Sequence, residues 1–264
     1  MPVRVGVLGL GEAGSLVAAD LVRAGADVAG YDPHVPVLDG VPTMRSEAEA
    51  ARGRDVVLAL TAADDATTAL ANALPAVPPG TLYADLATGP DALKRSLGAR
   101  CSSRAVQFAD VAIMSPVPGR GMRAPMLVSG DGAERFAEVL EGLGGSVSVV
   151  PGGPGEAARR KLLRSVFYKG MGAALVEAHE AASAAGLGDW LLDHVAGELE
   201  GMGRQTAVRL LEGSHTHAVR REAEMAAAGD VVRGLGVPAP VSDAARAVLA
   251  RLARPSRDGE EVER

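Results

Sequence analysis

The chain has 264 residues, 47% hydrophobic and 23% charged, enough to bury a core as one large domain or two modest ones. A formal net charge of −6 argues against nucleic acid or an anionic membrane as the main partner. One cysteine excludes an internal disulfide, and no uninterrupted run of 18 apolar residues offers a membrane span, so a cytoplasmic protein is expected.

The first predicted strand, Val3–Leu8, runs into Gly9, Leu10, Gly11, Glu12, Ala13 and Gly14, and then into an Ala-rich helix over Ser15–Ala24. G-x-G-x-x-G alone is a weak signal in a chain with 33 glycines. Its surroundings strengthen it. The motif follows a strand and opens a helix, and the second strand, Asp27–Tyr31, ends at Asp32, 18 positions after Gly14. In such a unit the first glycine makes the turn, the second admits a pyrophosphate to the backbone, and the third lets helix and strand pack closely. The helix N-terminus adds free N–H groups for a diphosphate. A carboxylate at Asp32 accepts hydrogen bonds from ribose hydroxyls and repels a 2′-phosphate. The following "PHVPVLDG" has no arginine, so NAD is favoured with NADP as the alternative. Read without a ligand, Asp32 is a turn residue before Pro33.

Further apolar runs lie at Asp55–Thr61, Thr81–Leu86, Gln107–Ile113, Pro125–Ser129 and Ser146–Val150, with helical patterns such as Ala66–Leu74 between them. This alternation implies an α/β domain, a doubly wound parallel sheet covered on both faces. From Pro154 the pattern is helical to Ala185 and closes at Gly186. That helix, about 45–50 Å long at 1.5 Å per residue, is read as the joint between a dinucleotide-binding domain (1–153) and an all-helical domain (154–264). Helices near Trp190–Leu199, Gly203–Leu211, His217–Leu235 and Val241–Ala253 follow, and the polar end "RPSRDGEEVER" reads as frayed. The alanines and "GMGAAL" of the long helix suit close packing, so a homodimer through the C-terminal helices is expected, with each active site between the two domains.

Several motifs in order resemble the β-hydroxyacid dehydrogenases, the family of 3-hydroxyisobutyrate and 6-phosphogluconate dehydrogenases. "GLGEAG" resembles G-L-G-x-M-G with Ala13 for Met, and "ADLATGP" resembles D-x-S-T-x-x-P with Ala87 for Ser. "DVAIMSPVPGRGMRAPMLVSGD" resembles the substrate loop, with Pro116 and Val117 for its glycine pair. "GGPGEAARRKLLRS" resembles G-x-x-G-x-G-x-x-x-K-x-x-N-N, where Lys161 fits and Arg164 and Ser165 replace the two asparagines. "RREAEMAA" loosely matches a late Lys-Asp motif at Arg221 and Glu222. "KLLRSVFYKG" with "THAVRREAEM" looks most like a bacterial branch with a variant C-terminal domain.

The resemblance implies an NAD(P)-dependent oxidoreductase that moves hydride between nicotinamide and a small hydroxy acid or its oxo form. Lys161 is then the acid/base, and Tyr168 is the alternative proton donor, as in related imine reductases. A hydroxyl must lose its proton as hydride leaves, and a lysine does this if burial and nearby cations lower its pKa. Lys161 has such neighbours in "ARRKLLR", which read without the family pattern is an ordinary basic helix face in water. Lys161, Arg164, Ser165 and Tyr168 share one helical face. Arg164 in place of asparagine suits an anionic substrate. Ser115 and Gly119 are the loop's candidate substrate contacts, joined by Arg164, Ser165 and His217. Candidate cofactor contacts are Gly9 to Gly14, Asp32, Thr61, Thr88 and Arg221. No metal site is read, because His215 and His217 lack an acidic or cysteine partner at ligand spacing. A reductase acting on C=N bonds and a catalytically inactive dinucleotide sensor are the competing readings.

Overall fold

The computed structural model describes residues 1–35 and 38–254. The tail from 255 onward, read above as frayed, lies outside the described residues. In chain order the first part contains β1 (Arg4–Leu8), α1 (Glu12–Arg23), β2 (Asp27–Tyr31), α2 (Glu47–Ala51), β3 (Val56–Ala59) and α3 (Ala66–Ala73). It continues with β4 (Leu82–Asp85), α4 (Asp91–Ser102), β5 (Gln107–Ile113), β6 (Met126–Ser129), α5 (Ala133–Gly142) and β7 (Val147–Val149). The helices α6 (Glu156–Ala184), α7 (Gly188–Glu200), α8 (Arg204–Thr216), α9 (Ala218–Gly234) and α10 (Pro240–Leu252) complete the chain. Two compact units emerge, Met1–Arg164 and Ser165–Arg264, with the division inside α6.

The sheet of the first unit has the order β2-β1-β3-β4-β5-β6-β7. Every residue of β3 and β4 is buried, which explains why these runs show no polar alternation: both sheet faces are covered. One side of the sheet holds a cluster including Val7, Val17, Leu21, Leu58, Val111 and Phe136. The other holds Leu8, Val57, Leu70, Tyr83, Leu97 and Phe108. Each such side chain taken fully from water contributes about 1.5–3 kcal/mol. The chain turns from β1 to its neighbour β2 on one side and then to β3 on the other. A crevice therefore opens beyond the carboxyl ends of β1 and β3, where doubly wound sheets bind ligands.

The parallel direction of the sheet ends at β5. The strands β1 to β5 are parallel, but β6 runs antiparallel to β5, and β7 is parallel to β6. No α-helix separates β5 from β6, only a loop with a 3₁₀ turn at Gly121–Arg123. A parallel return needs a crossover that carries the chain back along the sheet, and this loop does not make one.

In the second unit α9 and α10 pack together, with Ala181, Val232 and Ala239 buried. Glu177, itself buried, caps α10 by accepting hydrogen bonds from Val241 N (2.7 Å), Ser242 N (2.9 Å) and Ser242 Oγ (2.6 Å). No residue of α7 or α8 is buried. Among the described residues no helix is long and apolar enough to cross a membrane.

Candidate active site and dinucleotide cleft

The loop after β1 assigns a different constraint to each glycine. Gly9 has φ +91°, and a Cβ there would stand 2.7 Å from Leu60 O, so only glycine makes this turn against β3. A Cβ on Gly14 would stand 1.9 Å from Gly9 O, so α1 lies against the loop backbone itself. At Gly11 the corresponding space is open, with nothing within 4 Å. Gly11 is also the N-cap of α1 and brings no side-chain acceptor, which leaves the first-turn N–H groups for a ligand.

Asp32 sits at the end of β2 and braces this loop. Its Oδ2 accepts from Leu10 N at 2.7 Å, and Oδ1 accepts from His34 N (2.7 Å) and Val35 N (3.1 Å). Around these groups lies a cleft of about 440 Å³, lined by Gly9, Gly11, Asp32, His34, Leu60, Thr61 and others. Glu47 and Asp65 also line it, and among the described residues no lysine or arginine does. The residues present fit a dinucleotide: a glycine loop open at Gly11, a helix N-terminus and a carboxylate at the end of β2. Thr61 Oγ1 adds a buried polar atom that has no partner among the described residues.

A second cleft of about 260 Å³ shares Leu60 and Thr61 with the first. Ala13, Ala87, Thr88, Ile113, Ser115, Val117 and Lys161 line it. Lys161 reaches it from α6, and its Nζ donates to Thr88 Oγ1 at 2.7 Å. The cleft therefore sets one ammonium against the Thr88 hydroxyl, with Thr61 and Ser115 among the apolar residues of its lining, an arrangement able to bind and protonate an oxygen or nitrogen. Ser115 Oγ donates to Pro116 O at 3.3 Å at the cleft's edge. The loop beyond Ser115 is pinned to α1: Met122 N donates to Asp20 Oδ2 at 2.8 Å. A Cβ on Gly121, at φ +54°, would stand 1.8 Å from that same oxygen. Gly119 (φ +76°) is exposed on the loop, beside the exposed Arg120.

The remaining candidates lie further along the helices. Arg164 follows Lys161 on α6 and ends the first unit, and Ser165 begins the second. Tyr168 is exposed and meets Phe167 edge to face, with ring centroids 5.4 Å apart. Arg221 on α9 donates from Nη1 to Ser214 Oγ at 2.9 Å, and His217 is exposed between α8 and α9. Among the described residues no three His, Cys, Asp or Glu side chains form a metal-holding group.

Sequence reasoning passed over the group that seats α6. Asp110 Oδ2 accepts from Gly155 N and Ala158 N, both at 3.0 Å, and Ser129 Oγ accepts from Ala157 N at 3.1 Å. Together they cap the first turn of the helix that carries Lys161. The available signal was polar residues in apolar strands, Asp110 in "FADVAI" and Ser129 ending "MLVS".

Comparison with known proteins agrees with this geometry. Residues 4–152 match the family model for the NAD-binding domain of 6-phosphogluconate dehydrogenase, and residues 182–252 match a domain of unknown function (DUF1932). The chain is 32% identical over 185 residues to an L-threonate dehydrogenase from Cupriavidus necator, a match spanning 63% of this chain and 60% of that protein. A solved conserved protein of unknown function, described as structurally similar to 3-hydroxyacid dehydrogenases, is 27% identical. That match covers 95% of this chain and 96% of the other with a TM-score of 0.60. An imine reductase from Pseudomonas sp. shares the fold at 21% identity, with a TM-score of 0.78 over 95% of this chain and 93% of that one. From its glycine loop, its Rossmann-like sheet and these matches, the chain belongs to the β-hydroxyacid dehydrogenase family of NAD(P)-dependent oxidoreductases.

Proposed function

We propose that this protein is an NAD-dependent dehydrogenase of a small, anionic hydroxy acid, with Lys161 as the group that takes and returns the hydroxyl proton. The observation that carries the reading is the 2.7 Å hydrogen bond from Lys161 Nζ to Thr88 Oγ1 in a cleft that shares Leu60 and Thr61 with the dinucleotide cleft. The bound cofactor supplies or accepts hydride at its nicotinamide ring. This chain's own residues do the rest. The Gly9–Gly14 loop and the α1 N-terminus bind the diphosphate, and Asp32 takes the adenosine ribose. Lys161 binds the substrate oxygen, takes its proton as the neutral amine in oxidation and returns it as the ammonium in reduction, with Thr88 Oγ1 fixing its Nζ. Ser115 and the Gly119 loop hold the substrate carboxylate, and the family pattern assigns further anion contacts to Arg164, Ser165 and His217. Arg221 is the late cofactor contact. NAD is preferred because Asp32, Glu47 and Asp65 line the cleft without a cation to offset a 2′-phosphate. L-threonate, the substrate named for the Cupriavidus relative, is the first compound to assay. The working form is a homodimer through the C-terminal helices, because those helices leave Phe167, Trp190, Leu211 and Val219 exposed.

The test is Lys161→Ala. Turnover is expected to fall by about two to four orders of magnitude, the worth of a positioned proton donor, with NADH binding nearly unchanged. Lys161→Arg restores little, since a guanidinium does not give up its proton near neutral pH. Near-normal turnover in Lys161→Ala, with loss in Tyr168→Phe, would transfer the role to Tyr168 and the chemistry to C=N reduction. A wild-type protein that binds NADH and turns over neither hydroxy acids nor imines is a dinucleotide sensor.

A further inference from the structure

Lys94 is fully buried, on the inward face of α4 with Leu97, Gly98 and Cys101. A lysine survives there only if its ammonium is completely satisfied. Its three N–H groups go to Asp85 Oδ2 (2.8 Å), Asp85 O (3.0 Å) and Ala87 O (2.7 Å). On its other side Asp110 Oδ1 stands 3.4 Å away, within ion-pair range and without a hydrogen bond of its own among the described residues. The second oxygen of that carboxylate receives the first-turn N–H groups of Gly155 and Ala158 and the hydroxyl of Ser129 (3.2 Å).

Two tethers therefore start from one ammonium. Through Ala87 O it holds the loop whose next residue is Thr88. Through Asp110 it neutralises the carboxylate that caps α6, and Lys161 lies about one turn beyond the capped residues. The tethers meet again at the hydrogen bond from Lys161 Nζ to Thr88 Oγ1.

We propose that Lys94 is a positioning residue for the Lys161–Thr88 pair: it fixes donor and acceptor against each other and so sets where in the cleft the proton is delivered. The assignment deepens, and rests on, the reading of Lys161 as the proton-transfer group. A lysine that only supports the fold would leave no separate mark on turnover once the fold is kept.

Lys94→Met alone strands a buried carboxylate at Asp85 and also removes the counter-charge of Asp110. The informative variant is Lys94→Met with Asp85→Asn, which removes both charges of the closest pair and leaves Asp110 its three donors. It is compared with wild type by thermal melting, NADH titration, steady-state assay with NAD and L-threonate, and amide hydrogen exchange. A melting point lower by about 6–20 °C, because Asp110 loses its counter-charge, and an NADH affinity within about twofold are expected, so the assays are run well below the variant's transition. The kcat is expected to fall at least about tenfold with KM within about threefold, because an ill-placed proton donor weakens the transition state more than substrate binding. Exchange at the amides of Ala87, Ala157 and Ala158 is expected to rise at least about tenfold, with α1 unchanged. Wild-type protection at those three amides overturns the proposal, and so does faster exchange with an unaltered kcat. A double variant that fails to fold overturns it as well, because Lys94 then serves the whole core. If the wild type oxidises no hydroxy acid, the reading of Lys161 fails by itself, and the exchange arm still decides whether Lys94 tethers the loop and α6.

Discussion

In the first unit β3 and β4 are buried along their whole length, and side chains as large as Tyr83, Phe108 and Phe136 are almost wholly removed from water. In the second unit the buried apolar cluster consists of Ala181, Val232 and Ala239, while α7 and α8 bury nothing. Val166, Phe167, Leu211 and Val219, by contrast, are 57–75% exposed. Of these, Phe167 and Leu211 line an apolar cleft of about 680 Å³ together with Tyr168, Met171, Leu199 and others. The difference teaches where each unit finds its stability. A sheet sandwiched between helices closes its own core, whereas helices with small buried residues and large exposed ones gain most of their burial from another surface. The proposed dimer supplies that surface.

The chain carries a reporter for each side of this comparison. The one tryptophan, Trp190, lies on α7 in the helical unit, and the one cysteine, Cys101, is buried in the sheet unit. Burial pushes the Cys101 thiol up to about 12, so it reacts with thiol reagents only when the sheet unit opens.

The largest expected effect comes from charging the apolar face. Phe167→Asp with Leu211→Asp should weaken self-association by about three orders of magnitude, at roughly 2 kcal/mol for each lost anchor. The Trp190 signal should then melt at a lower temperature, while Cys101 labelling stays slow and NADH still binds. Sedimentation showing a wild-type monomer at micromolar concentration would break the comparison at its root.

A smaller effect belongs to Asp32. Because its two oxygens also hold Leu10, His34 and Val35 by their N–H groups, Asp32→Ser should lower NADH affinity as well as narrow the gap to NADPH. A change of about tenfold in the ratio is expected, the loss of one charge-assisted contact. Fluorescence titrations read both numbers, and a wild type that prefers NADPH would reverse the cofactor assignment.

The smallest effect is acid sensitivity in the helical unit. Burial pushes the Glu177 carboxyl up, but hydrogen bonds from Ser242 Oγ and from the Val241 and Ser242 amides outweigh it, so the group titrates below its usual range. A depressed folded value stabilises the fold above the unfolded carboxyl's pKa, near 4.3, and that stability is lost as pH falls through the folded value. Glu177→Gln should be less stable at neutral pH and lose less on acidification. The Trp190 acid midpoint reads this as a shift of a few tenths of a pH unit. An identical acid slope in both proteins would assign the sensitivity elsewhere.

The glycine loop was legible because its constraints are local. A strand, a turn at φ +91° and a helix start are specified by adjacent residues, and Asp32 follows at the end of the next strand. The long helix was legible from Pro154 at its start and Gly186 past its end. Short helices such as α2 offered too few residues for a pattern, and the four-residue run of β6 carries no mark of direction. Lys161 stood out only through the resemblance of its motif, since "ARRKLLR" alone also describes a solvated basic face. Lys94 shares the inward face of α4 with Leu97 and Cys101, and nothing in the sequence singles it out, because a lysine on a helix is ordinarily solvated.

By itself, then, the sequence determined the class of the sheet, the dinucleotide loop and the extent of the long helix, each of them a consequence of backbone preference and hydrophobic period within one segment. Only the tertiary structure decided that β6 turns back, that Asp110 and Ser129 cap α6, and that a lysine is fully buried in the first unit. Whether a charge is buried depends on the partners that replace its water, and those of Lys94 come from β4, the loop after it and β5.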